Sequence, residues 1–154
     1  MTDAKRDLVE AVERRRKHGA REHLARSLRA LGEVERGLNR GGPEAIAAYR
    51  EAVAIYREVG GPLRLAHTVR HLGDVYFEAG RAELAEPCFK EALALYRGQP
   101  DAPPLDLANA IRSMAVLKDS LGEDARDLWI EARDLYRAEG VEAGVAESKS
   151  RLTA

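Results

Sequence analysis

Cysteine is nearly absent: Cys88 is the only one in 154 residues. A disulfide framework within the chain is therefore excluded, a usage that suits a reducing compartment. Long apolar runs are missing too. No stretch approaches the roughly 18 consecutive apolar residues of a membrane helix. The first ten residues include Asp3, Lys5, Arg6 and Asp7, so no secretory leader is expected and the chain reads as cytoplasmic. There is no sustained apolar-polar alternation between turn signals, so no strands are expected, nor the phosphate-binding glycine loops that follow strands. Charge of one sign is lacking as well. Lys and Arg total 25 against 26 Asp and Glu, a net charge of −1, which argues against a general nucleic-acid binder. Aromatic residues are only 5% of the chain.

What is present favours helix. Ala, Leu, Arg and Glu dominate, all strong helix formers. Glycine and proline divide the chain into eight expected helices, at about 3–17, 20–38, 43–59, 62–80, 82–97, 105–121, 123–138 and 142–152. Thr2 or Asp3 caps the first, and Pro43 and Pro62 suit first helical positions. Pro87 falls inside the fifth helix and is expected to bend its start.

The scarce aromatics are placed by rule. Tyr49, Phe89 and Trp129 stand 40 residues apart, as do Ala52, Ala92 and Ala132, and Tyr56, Tyr96 and Tyr136 with Arg57, Arg97 and Arg137 behind them. A period of this length marks stacked supersecondary units, and such solenoids serve mostly to hold other molecules. Between the aromatic helices lie others marked by Leu31-Gly32, Leu72-Gly73 and Met114-Ala115. A glycine inside a helix costs about 1 kcal/mol against alanine, so its recurrence points to close approach of a neighbour.

These marks resemble the tetratricopeptide repeat family. Residues 69–96 carry its pattern in Val69, Leu72, Gly73, Tyr76, Gly80, Ala85, Phe89 and Ala92. The preceding copy has Leu28, Leu31, Gly32, Ala45, Tyr49 and Ala52, with Glu35 in place of the tyrosine. The following copy has Ala125, Trp129 and Ala132, with Met114, Ala115 and Lys118 in the Leu, Gly and Tyr positions. The 40-residue step is similar to the long repeats of kinesin-light-chain-type proteins. The resemblance implies an all-α, right-handed solenoid of antiparallel helix pairs in one domain. A half repeat at 3–18 is followed by repeats at about 20–59, 62–98 and 105–139 and a half repeat at 141–152. It also implies a non-enzymatic scaffold without a cofactor, binding a protein or peptide in a concave groove lined by the first helix of each repeat.

Carried onto this sequence, the groove positions are Arg29, Arg70 and Arg112 at one level, Arg26, His67 and Asn109 a turn earlier, and Glu33, Asp74 and Val116 a turn later. A row of arginines would take an acidic partner through carboxylate or phosphate. The plainer expectation is local neutralisation, since Arg29 with Glu33 and Arg70 with Asp74 are i,i+4 pairs. Arg112 faces Val116 instead and is expected to be the arginine open to an outside anion. A second reading is a homodimer through the last helix, expected to expose Val141, Val145 and Leu152. A third is a metal site from His67, His71 and Asp74 on one helical face. Cys88 reads as a small core residue rather than a nucleophile. The basic run Arg14-Arg15-Arg16-Lys17 reads as a solvated helix end.

Overall fold

The computed structural model describes residues 2–154, and those residues form eight helices and no strand. They are α1 (Asp3–His18), α2 (Arg21–Leu38), α3 (Pro43–Val59), α4 (Pro62–Glu78), α5 (Ala82–Arg97), α6 (Pro104–Ser120), α7 (Arg126–Ala138) and α8 (Glu142–Thr153). Thr2 caps α1 by accepting the Lys5 N–H at 3.3 Å, and prolines open α3, α4 and α6. Helices α4, α6 and α7 stop by the same device. Gly80, Gly122 and Gly140 take left-handed φ of 74°, 71° and 71°. The N–H after each closes a six-residue loop to Tyr76, Lys118 or Tyr136, at 2.9, 2.9 and 2.8 Å.

One expectation needs adjusting. α7 begins at Arg126 rather than 123, because the Asp124 side chain accepts the Arg126 N–H at 2.9 Å and holds the chain in a turn. α5 runs from Ala82 to Arg97 through Pro87 without an interruption.

Each helix packs on its neighbours in sequence, and α4 also packs directly on α6. The chain thus alternates between an outer row, α1, α3, α5 and α7, and an inner row, α2, α4, α6 and α8. Tyr49, Phe89 and Trp129 lie in the seam between the rows and are only 1%, 2% and 2% exposed. The helical glycines are the counterpart. A Cβ on Gly32 would stand 2.9 Å from the Tyr49 ring, and one on Gly73 would stand 2.6 Å from the Phe89 ring. In the third repeat Ala115 packs in one cluster with Trp129. The close-approach reading of Leu-Gly and the core reading of the aromatics both hold.

On the outer row, arginine of one repeat meets glutamate of the next: Arg16 with Glu51, Arg57 with Glu91 at 2.6 Å, and Arg97 with Glu131 at 2.8 Å. The rungs are solvent-exposed, so each contributes about 0–1 kcal/mol. Among the described residues no helix is long and apolar enough to cross a membrane.

Candidate functional site

The inner row brings the candidate residues onto one face in two differently wired regions. The first is centred on Asp74 of α4. Arg70, one turn earlier, donates to its carboxylate at 3.0 Å, Arg36 of α2 stands 3.7 Å away, and Ser113 of α6 donates at 2.9 Å. Burial pushes the Asp74 carboxyl above its ordinary range, against the pull of both arginines and the serine hydroxyl. One turn on, Glu78 receives a fork from Arg36, at 2.6 to 3.1 Å, and a further bond from Arg40 at 2.6 Å. Burial would raise the Glu78 carboxyl, but these bonds outweigh it and hold it low. Arg36 and Arg40 were not singled out in the sequence, because their partner lies about one repeat away on another helix.

Arg112 is part of this wiring. Glu147 of α8 takes a bidentate bond from it, at 2.5 and 2.8 Å. The expectation that Arg112 stands open to an outside anion therefore fails, since its partner is 35 residues away in sequence. Asn109 is engaged as well, accepting the Tyr136 hydroxyl at 2.8 Å. The hollow of about 210 Å³ between Arg36, Asp74, Glu78, Arg112 and Ser113 is walled by groups that already neutralise one another.

The two histidines sit between the regions. Their rings meet edge to face at 4.6 Å, and His71 stacks on Tyr49 at 5.9 Å. The Arg70 guanidinium lies 3.0 Å from His71 Nε2, and Arg36 lies 3.5 Å from Nδ1. Burial, with Arg70 next, drives the imidazoles down to about 4 for His67 and about 2 for His71. Both are neutral at pH 7. The metal reading does not survive this arrangement: no cluster among the described residues has the geometry to hold an ion, and arginine donors crowd both His71 nitrogens.

The second region surrounds Arg29 of α2. The expected Arg29–Glu33 pair does not form, and the half-buried Arg29 has no hydrogen bond or ion pair among the described residues. Arg26 is only loosely held by Glu22, at 3.6 Å, because Arg64 of α4 also bonds that carboxylate. Arg26, Arg29, Arg64, His67 and Tyr56 line an open hollow of about 340 Å³, with Asp106 of α6 the one acidic residue on its wall. Of the three arginines singled out from the repeat register, the structure thus leaves the first unpaired and pairs the other two.

Elsewhere, burial raises the Cys88 thiol to about 11, so it is no thiolate nucleophile at neutral pH, and a Cβ on Gly73 would stand 3.0 Å from it. Val141, at the start of α8, and Val145 within it pack in part against the main core, and Leu152 packs in part against the Trp129 cluster, so these three side chains are half-buried rather than fully exposed.

Comparison with known proteins places this architecture. Residues 42–98 match the tetratricopeptide repeat family. Among solved structures the chain is similar to that of BtubC (BKLC) from P. vanneervenii, with a TM-score of 0.79 and 19% identity. The match covers 88% of this chain and 56% of that one, so the chain spans little more than half of its length. No curated protein matches the sequence. At this identity the likeness speaks for the fold, a helical-repeat solenoid.

Proposed function

We propose that this chain, a tetratricopeptide-repeat solenoid, docks an acidic protein or peptide segment on its inner face and performs no chemistry there. Repeats of this family mediate protein–protein interaction. The observation that carries the reading is the unpaired Arg29, flanked by Arg26 and His67 on the wall of an open hollow. A guanidinium that is half out of water and lacks a carboxylate gains a charge-assisted fork when one arrives. His67, neutral at pH 7, offers a hydrogen bond without adding charge. Arg70, Asp74, Asn109 and Arg112 serve differently: their bonds tie α4, α6, α7 and α8 together and fix the shape of the face.

The test is fluorescence anisotropy with fluorescein-labelled peptides rich in Asp and Glu. Arg29→Ala is expected to weaken the best binder about tenfold. Arg112→Ala is expected to leave affinity nearly unchanged while lowering stability. Equal binding by Arg29→Ala and the parent chain would overturn the assignment, as would the absence of binding by any acidic peptide.

A further inference from the structure

The hollow at Arg29 holds more than its arginines. Its walls come from α2, α3, α4 and α6, so neither the first nor the last helix contributes to it. Three of its polar side chains are half-buried and make no hydrogen bond or ion pair among the described residues: Arg29 of α2, His67 of α4 and Asp106 of α6. No arginine pairs with Asp106. The Arg64 guanidinium bonds Glu22 of α2 instead, and Arg26 is held by that same carboxylate at 3.6 Å. The two unpaired charges share one neighbour. Burial first, then Arg70 and Arg29, lower the His67 imidazole to about 4, while Asp106 pulls it upward. His67 thus stands within electrostatic reach of a positive wall on one side and a negative one on the other.

The charges do not balance within the hollow. The guanidiniums of Arg26, Arg29 and Arg64 line it against the single carboxylate of Asp106. The nearby Glu22 serves Arg26 and Arg64 together and leaves Arg29 with none. An occupant that carries only negative charge satisfies Arg29 but is brought against Asp106. That carboxylate then loses hydration and gains no partner, and like charges juxtaposed in an interface work against binding. A phosphate, with its higher charge, meets the same objection. An occupant with one cation among its acidic groups satisfies both walls, giving a carboxylate to Arg29 and an ammonium or guanidinium to Asp106. Between them His67, neutral at pH 7, has one ring nitrogen that donates and one that accepts, so it serves a group of either sign. Tyr56 is buried and Leu63 half-buried on the same wall, which gives the aliphatic stem of a lysine or arginine an apolar surface to lie on.

We propose that the hollow selects a peptide segment in which a single lysine or arginine stands among acidic residues, and that Asp106 is the residue that recognises the base. This rests on the docking reading of Arg29 and narrows it. Acidity brings a segment to the arginines, and Asp106 decides which acidic segment stays. Arg29 supplies attraction and Asp106 discrimination. The negative wall turns away unbroken runs of Asp and Glu, and phosphorylated segments, that the arginines by themselves accept.

Fluorescence anisotropy with fluorescein-labelled peptides of one length tests this on the full chain. The reference peptide contains only Glu and Ser, and in the others a single Lys replaces Ser at successive positions. At the register that brings it to Asp106, Lys is expected to tighten binding about tenfold over the reference. At other positions it should weaken binding or leave it unchanged, because it only dilutes the acidic charge. In Asp106→Asn, which keeps the shape of the side chain, that gain should disappear and the reference peptide should bind several-fold more tightly than to the parent. Asp106→Lys should make the reference peptide the preferred one. Arg29→Ala should weaken every peptide. Far-UV circular dichroism confirms that each variant is folded. The two readings fail differently. Binding by no peptide, or binding indifferent to Arg29→Ala, overturns the docking reading and this proposal with it. Binding that depends on Arg29 but gains from no Lys position, or whose gain survives Asp106→Asn, overturns the selection by Asp106 alone.

Discussion

The two halves of the inner face are built on the same helices and the same repeat register, yet they differ in what their arginines do. Around Asp74, Arg36 and Arg112 are consumed by carboxylates from other helices and Arg70 by Asp74 of its own, and with the Ser113 bond the result is a brace joining α2, α4, α6 and α8. Around Arg29, a single glutamate is shared by Arg26 and Arg64, and Arg29 receives none. A charge with buried partners maintains a shape, and a charge without one is available to a ligand. The distinction depends on partner supply rather than on residue type, since Arg29, Arg70 and Arg112 are equivalent positions.

The contrast is most directly broken at Asp74. Asp74→Ala leaves Arg70, only 11% exposed along its side chain, without its carboxylate and strips Ser113 of its acceptor. A loss of about 3–5 kcal/mol is expected in urea unfolding, whereas Arg29→Ala should stay within about 0.5 kcal/mol of the parent. Comparable losses from both would erase the difference between the two regions.

Acid offers the next largest effect. The unfolded chain takes protons on its histidines near 6.5, but the folded chain resists until about 4 at His67 and about 2 at His71. The unfolded state therefore binds more protons in that window. Stability is full above about 6.5 and is lost progressively as pH falls, toward about 4 for the His67 contribution and about 2 for that of His71. The groups facing His71 are Arg70, His67, Arg36 and Arg29, with Asp74 and the Tyr49 ring. Asp74, whose carboxyl is raised, works in the opposite sense at the acid end. Melting curves should show Tm falling by several degrees between pH 7 and pH 5, and His71→Gln should flatten that slope. An unchanged slope would mean that His71 is not held neutral by the fold.

The smallest effect belongs to the outer ladder. Arg57→Ala removes an exposed rung and should cost less than about 1 kcal/mol, shrinking further at 1 M salt. A cost as large as that of Asp74→Ala would move the brace of the molecule to the outer row.

Much of this was legible in the residues alone. The 40-residue beat places Tyr49, Phe89 and Trp129 in the seam because each must meet a small residue on the facing helix, and Leu-Gly announces that residue in the first two repeats. Glycine after the last helical turn at Gly80, Gly122 and Gly140 marks where helices stop. The start of α7 was less legible, since the Asp124 cap competes with a sequence otherwise suited to helix. The pairing of charges was read only within one helix, where i,i+4 geometry is known in advance. That gave Arg70 with Asp74 correctly, and it failed for Arg29 with Glu33 and for Arg112, whose partner comes from α8. One signal for the longer pairs was present. Arg57 and Arg97 precede Glu91 and Glu131 by the same 34 residues, so two registers of one repeat already encode the ladder.

By itself, the sequence determined the helices, their alternation into two rows and the residues of the seam. Propensity, turn chemistry and apolar periodicity act over a few residues or over a fixed repeat, and both distances can be counted along the chain. Only the tertiary structure decided which arginines are spent and which remain available. That outcome depends on which carboxylates the packing of α2, α4, α6 and α8 brings within hydrogen-bond reach, a distance in space that spacing within one helix does not measure.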